Sequence, residues 1–380
     1  MKILVVQDRL RSGGTERQSV LLAHAFAAAG HAVTLLTFRP GGALAGTVDP
    51  AAVSHVALQP FDTGLDWFAP GLSGRVARLR PDVILCMGRM ANCRAGGLQR
   101  RNPAAAVIAT MRTGKPLPRL FRRSLRLARA VVANSRDARD RLVRAHGVPP
   151  EKISVIHNSL VFPAAPSPDS GDADAARAAL RARHGAAPST FVLLCVAMFR
   201  PEKNQRELIE IAAGLPSGLD WQLWLAGDGP ARAACDRLAA GRGVSARVRF
   251  PGFLRDPAPL YAAADAAVHA SSSESLSNFL IEAQAHGLPA IAAEAQGIAE
   301  CFVPGVTGWM IPRGDRAAFR AALERLARAP AGERAPRGEA ARAFARTTFD
   351  TARQVAAYLD LFSTLIRTPG HDEQTTRRFG

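Results

Sequence analysis

Short apolar runs recur along this chain, each followed by a polar loop and then by residues at helical spacing. In the first half the runs predict strands at 3–6, 33–37, 83–86, 107–110, 131–133 and 154–157, with a helix over 16–29 between the first two. Strand and helix in alternation imply a parallel sheet covered by helices on both faces. From 162 to 172 the text becomes rich in Pro, Ser and Ala and reads as an interdomain linker. A second series follows, with strands at 191–197, 221–226, 248–250, 266–270, 290–292 and 308–311, and it predicts a second doubly wound domain. Beyond Arg328 the chain is Pro- and Arg-rich, a last helix is predicted over 351–365, and the polar tail from Pro369 is expected to be disordered.

The fold class expected from this pattern is α/β, with two Rossmann-like doubly wound domains. A length of 380 residues exceeds what one core fills, so two domains agree with the pattern. The expected boundaries are 1–165, 166–345, a terminal helix at 346–367 and a tail at 368–380. Two such domains joined by a linker would make a cleft, where ligands prefer to bind. No apolar run approaches a membrane span, and the opening residues Met1 to Asp8 read as strand and loop rather than a signal peptide, so the chain is expected to be cytoplasmic. The five cysteines are scattered without metal-ligand spacing and read as structural thiols.

Net charge of +17 changes the picture, because such a field attracts anions of any kind. The excess gathers at 112–144, where Leu120, Phe121, Leu125 and Leu127 are interleaved with arginines. That stretch reads either as an amphipathic basic helix on an anionic membrane surface or as an ordinary solvated helix. No nucleic-acid recognition module is legible, and no nucleic-acid partner is expected.

Candidate chemistry sits where predicted strands end. Glu274 and Glu282 stand eight positions apart, the first in a polar loop after a strand and the second inside the next helix. Ligands of open α/β sheets bind beyond the carboxyl ends of the strands, and a helix N-terminus there offers free N–H groups to an anion. Two acids bracketing a diphosphate would suit the hydroxyl-rich ends of a nucleoside-diphosphate sugar. Taken alone, however, the pair is more simply two surface carboxylates. Ser12-Gly-Gly-Thr-Glu16 opens the first helix, and Gly13 and Gly14 permit close backbone approach to a ligand or merely a tight turn. Thr37-Phe-Arg39 ends the second strand where an NAD site would place an acid, which counts against NAD. Arg200 and Lys203 leave the first strand of the second domain as a fork donor and a point charge suited to a diphosphate, or as two solvated cations. Asp228 and Gly229 lie in a glycine-flanked turn, and Leu254 begins a loop suited to lining a base pocket.

Read in order, Gly-Gly-Thr-Glu16, Val132-Ala-Asn-Ser135, Val155-Ile-His-Asn158, Arg200-Pro-Glu-Lys-Asn204, Gly227-Asp-Gly-Pro230, Pro251-Gly-Phe253, the spaced glutamates and Gly305-Val-Thr-Gly308 resemble the retaining glycosyltransferases of family four. The resemblance implies a GT-B fold of two facing Rossmann-like domains, the C-terminal one holding the donor, and a last helix that crosses back to the first domain. It gives Glu274 the donor sugar and Glu282 the ribose. Backbone N–H groups around Leu276, Ser277 and Asn278 would hold phosphate, and Arg200 and Lys203 would steady the leaving diphosphate. No metal and no cofactor are expected; the Asp172-Ala-Asp174 pair is assigned to the linker. The chain departs from the family in two places. Its arginine has moved along the loop, since Ala197-Met-Phe-Arg200 stands where Gly-Arg-Leu is commonest. Met111-Arg112 also replaces a usual histidine, so Arg112 contacts the donor or that function is missing.

The activity implied is transfer of a sugar from a UDP- or GDP-linked donor to a glycan or lipid-linked acceptor hydroxyl, with retention, in bacterial cell-surface synthesis. The alternatives are a sugar-nucleotide epimerase on the same fold, or a non-catalytic basic protein that binds nucleotides or membranes.

Overall fold

The computed structural model describes residues 1–160, 162 and 171–367. The chain divides into two compact units. One holds Met1–Ser159 together with the C-terminal segment from Thr351, and the other holds Leu160–Asp350. Most of the expected linker and the whole of the expected tail lie outside the described residues.

The first unit has a seven-stranded sheet, ordered β3-β2-β1-β4-β5-β6-β7. Its strands are β1 Lys2–Gln7, β2 Ala32–Thr37, β3 Ser54–Ala57, β4 Val83–Cys86, β5 Ala106–Met111, β6 Ala130–Ala133 and β7 Ile153–Val155. Every pairing is parallel. Side chains alternate across a strand, so Leu4 and Val6 enter one core while Ile3 and Val5 enter the other. The first core also takes Phe121 and Leu125. The second is closed by Phe26 and by Tyr358 and Phe362 of the terminal helix Thr351–Arg367, whose rings lie 5.8 and 5.4 Å from that of Phe26. Burying a side chain of this size contributes about 1.5–3 kcal/mol, which explains why a helix so distant in sequence belongs to this unit.

The second unit has a six-stranded sheet, ordered β10-β9-β8-β11-β12-β13. Its strands are β8 Phe191–Val196, β9 Trp221–Ala226, β10 Val248–Gly252, β11 Ala266–His269, β12 Ala290–Ala293 and β13 Gly308–Ile311. These too are parallel throughout. One core runs from Phe191 and Leu194 through Trp224 to Leu280 and Phe349.

Four readings need correction. Strand β3 was not predicted; Ser54 and His55 are exposed on a sheet edge, so it lacks an apolar signature. Residues 331–349 form a helix despite Pro336, and the second unit runs to Asp350 rather than 345. Asp172 and Asp174 belong to the helix Gly171–Arg183, not to a linker. The basic stretch forms the helix Arg119–Leu127, but Phe121 and Leu125 are buried, so its exposed apolar side chains reduce to Leu120 and Leu127. All five cysteines are free, and four of them are buried. Among the described residues, no helix is long and apolar enough to cross a membrane.

Candidate functional site

In each sheet the strand order reverses once, between β1 and β4 and between β8 and β11. Loops that leave adjacent strands toward opposite faces open a crevice at such a point. In the second unit the loop after β8 carries Arg200 and Lys203, and the loop after β11 carries Glu274.

Backbone contacts fix these loops together. Gly227 has φ +131, and a Cβ there would lie 2.1 Å from the Ala197 carbonyl oxygen, so the turn after β9 reaches the β8 loop only as glycine. The Phe199 N–H then donates to the Asp228 carbonyl at 2.9 Å, and the Ala231 N–H donates to the Phe199 carbonyl at 3.0 Å. Farther along, the Glu202 carbonyl accepts from the Ser272 N–H at 2.8 Å and from the Ser271 hydroxyl at 2.9 Å. Asn204, at φ +53, is a residue type that tolerates the left-handed turn into the helix Gln205–Ala213.

This framework delivers the Lys203 ammonium to Glu274 Oε1 at 2.5 Å. His269, the last residue of β11, places Nε2 3.0 Å from the same oxygen. An ionised carboxylate only accepts, so Nε2 carries the hydrogen and donates it. Burial alone would raise the Glu274 carboxyl, but the Lys203 charge and the His269 hydrogen bond outweigh it and hold the acid at about 2, below the ordinary 4.5. Among the described residues no hydrogen bond engages Glu274 Oε2, so the acid is anchored by one oxygen.

Directly after Glu274, Leu276 and Ser277 are buried, and the Ser277 hydroxyl caps the helix Asn278–Ala285 by accepting from the Leu280 N–H. That helix begins four residues after Glu274, and a helix N-terminus suits an anion. Gly297, at φ +73, supports the turn from behind; a Cβ there would lie 1.9 Å from the Ser275 carbonyl oxygen. On the same helix Glu282 accepts the Tyr261 phenolic hydrogen at 2.6 Å.

The other expected site residues fall into two groups. Arg200 is partly exposed on the Lys203 loop, and no hydrogen bond or ion pair engages its guanidinium among the described residues. The Asp228 carboxylate accepts from the Gly229 N–H at 2.8 Å and so shapes its own exposed turn. Leu254 is 37% exposed, next to Phe253. Gly13, Gly14 and Arg112 belong to the first unit. Gly13 precedes the helix Gly14–Ala28, which begins at Gly14. The Arg112 guanidinium donates to Asn158 Oδ1 at 2.5 Å and to the Tyr358 hydroxyl at 2.7 Å, which engages its two terminal nitrogens within its own unit. Asn134 also donates to Asn158, so two of the motifs read along the chain meet at Arg112.

Sequence reasoning missed His269 and Tyr261. A histidine ending an otherwise apolar strand and a tyrosine in a short alanine-rich helix were the available signals.

A cation, an acid and a helix N-terminus thus meet at the switch point of a parallel sheet, the place where open α/β sheets bind ligands. Residues 12–160 match the family model described as Glycosyltransferase Family 4. Residues 190–329 match the one described as Glycosyl transferases group 1. The two matches fall one in each unit, so each half of the chain is similar to glycosyltransferases of this type. Lipopolysaccharide core biosynthesis glycosyltransferase LpsE of Rhizobium meliloti is 37% identical over 135 residues, 36% of this chain and 39% of that protein. Alpha-D-kanosaminyltransferase of Streptomyces kanamyceticus is 31% identical over 208 residues, 54% of this chain and 53% of that protein. The matches thus span about half the length or less of these curated relatives. Anabaena HepE, solved with UDP and glucose, superposes with a TM-score of 0.80 at 22% identity, covering 96% of this chain and 100% of that one. The fold is GT-B.

Proposed function

We propose that the chain transfers a sugar from a nucleoside-diphosphate donor to an acceptor hydroxyl with retention at the anomeric carbon. The observation that carries this reading is the Lys203–Glu274–His269 cluster at the β8/β11 switch point, beside the N-terminus of the Asn278–Ala285 helix. Glu274 Oε2 accepts from a sugar hydroxyl, and Glu282 on the same helix accepts from the ribose. Lys203, Arg200 and the helix N–H groups meet the charge that grows on the departing diphosphate. The acceptor oxygen bonds to the anomeric carbon as the carbon–phosphate-oxygen bond breaks, and the acceptor proton passes to a phosphate oxygen of the leaving group. The reading needs neither a metal nor a cofactor.

HepE has been solved with UDP-glucose and LpsE is a lipopolysaccharide core enzyme, which favours a UDP-linked donor and a bacterial cell-surface glycan or lipid-linked acceptor. The net charge of +17 suits an anionic acceptor and a peripheral place at the cytoplasmic membrane surface. A thermal-shift panel of UDP- and GDP-sugars tests the donor. One nucleotide sugar should raise the unfolding temperature well above the shift given by inorganic diphosphate. If every nucleotide sugar does no better than diphosphate, the donor assignment fails.

A further inference from the structure

Glu274 and Glu282 each meet a buried ring. His269 donates to Glu274, and Tyr261 donates to Glu282. These two rings belong to one series. His286 lies 4.9 Å from Tyr261 at an interplanar angle of 18°, Tyr261 lies 6.1 Å from Phe279 at 23°, and Phe279 lies 6.4 Å from His269 at 19°. All three spacings fall in the range that offset-stacked rings prefer, and nearly parallel planes repeat across four side chains drawn from β11, from the helix Ala258–Ala263 and from the Asn278–Ala285 helix and its C-terminal cap. Tyr261 is 2% exposed, His269 3% and Phe279 7%, so neighbours fix the rings rather than solvent.

We propose that this stack is the positioning device of the donor site, with Tyr261 setting the ribose acid Glu282 and His269 setting the sugar acid Glu274. The inference rests on the donor-site reading above. A carboxylate at the end of a flexible side chain samples several rotamers, and a ligand that must fix it loses affinity by that ordering. A buried ring fixed by its neighbours presents one O–H or N–H in one direction and removes that loss beforehand. His269 supports the assignment further, since its buried Nδ1 has no partner among the described residues and its polar contact is with Glu274. Phe279 sits between the two polar rings and has no polar atom, so it keeps them in register rather than binding anything itself. His286 closes the other end, and burial lowers its ring below the ordinary histidine value.

The two attachments predict separable defects. Tyr261→Phe and His269→Phe keep a ring in place and remove a single donor. Binding of UDP and GDP to the full chain is measured by calorimetry, and turnover by release of nucleoside diphosphate from UDP- and GDP-sugars. Tyr261→Phe should weaken nucleoside-diphosphate binding about tenfold and leave kcat within about twofold, as expected for one hydrogen bond to a charged acceptor. His269→Phe should lower kcat about tenfold or more and leave that binding within about twofold, and His269→Gln, which restores an N–H, should recover most of the loss. Phe279→Leu should worsen both. The stack is overturned if the two ring variants change the same quantity to the same extent, or if neither changes anything. Glu282→Gln separates this from failure of the donor-site reading. If it leaves UDP and GDP binding intact, the donor site itself is wrong; if it weakens binding while Tyr261→Phe does not, only the stack is wrong.

Discussion

Each switch point of this molecule carries an acid, Asp8 after β1 on one side of the first and Glu274 after β11 on the other side of the second, and the two acids are treated in opposite ways. In the first unit Asp8 follows β1 and turns inward, accepting from the Met90 and Ala91 N–H groups at 3.0 and 2.8 Å, so it caps the chain's own helix Arg89–Arg101. Burial is the largest influence on it and, helped by Asp66 and Glu16 nearby, raises its carboxyl to about 6 despite those two bonds. In the second unit Glu274 is just as enclosed, yet Lys203 and His269 pull it down to about 2. Topology therefore marks two places of equal promise, and the partners decide between them. Asp8 has satisfied a helix terminus of its own, whereas the helix that follows Glu274 is capped by Ser277 and leaves that acid to Lys203 and His269.

The largest effect should come from removing the acid at each point. Glu274→Gln should lower transfer by about 100-fold or more, the range found when a group aimed at developing charge is lost, and Lys203→Ala should do the same with folding intact. Asp8→Asn keeps an oxygen for the helix cap and should change transfer by no more than about threefold. Steady-state assays of the three variants decide the matter. Equal losses at Asp8 and Glu274 would erase the contrast, and wild-type turnover by Glu274→Gln would remove the catalytic assignment.

Much of this was legible before any coordinates. Both sheets follow from apolar runs bounded by polar loops, because strands buried on both faces of a parallel sheet need uninterrupted apolar residues. Edge strand β3, with its exposed Ser54 and His55, has no such need and left no trace. The 331–349 helix was hidden by proline and arginine, which argue locally against order, although Ala341 is buried and Ala345 and Phe349 pack into the core of the second unit. In the site, the strand-end loops carrying Lys203 and Glu274 could be read from spacing, but their contact could not, since it depends on the Gly227 turn and the Glu202 carbonyl. The family resemblance offers Arg112 as a donor contact in place of a usual histidine, or else that function as missing. Its actual partners, Asn158 and Tyr358, lie 46 and 246 residues away in sequence, beyond any local pattern.

Opposite shifts should give opposite pH dependence, each worth about 3 kcal/mol. Glu274 is depressed in the folded chain, so its contribution is present above the unfolded value of 4.5 and is lost as pH falls through about 2. Asp8 is raised, so its contribution is complete below 3.8 and is lost as pH rises through about 6. Urea unfolding of wild type against Glu274→Gln should therefore show a stability advantage that shrinks on acidification below 4.5. Against Asp8→Asn, wild type should lose ground as pH climbs from 4 to 7. Parallel slopes for the two pairs would mean that the two acids share one environment.

The smallest effect tests whether the first unit contributes a cation to the donor or keeps it for itself. Tyr358→Phe removes one hydrogen bond from the Arg112 guanidinium and leaves the ring that packs on Phe26. If Arg112 serves to fasten the terminal helix to the ends of β5 and β7, the variant should lose about 1 kcal/mol of stability, the ordinary value of a buried hydrogen bond, with donor KM unchanged. Arg112→Lys should cost more, because an ammonium cannot span Asn158 and Tyr358 as the planar fork does. If Arg112 instead carries donor phosphate, freeing it from Tyr358 should leave stability alone and shift donor KM. Thermal unfolding and donor titration on the same preparation separate the two, and the distances in the structure favour the fastening role.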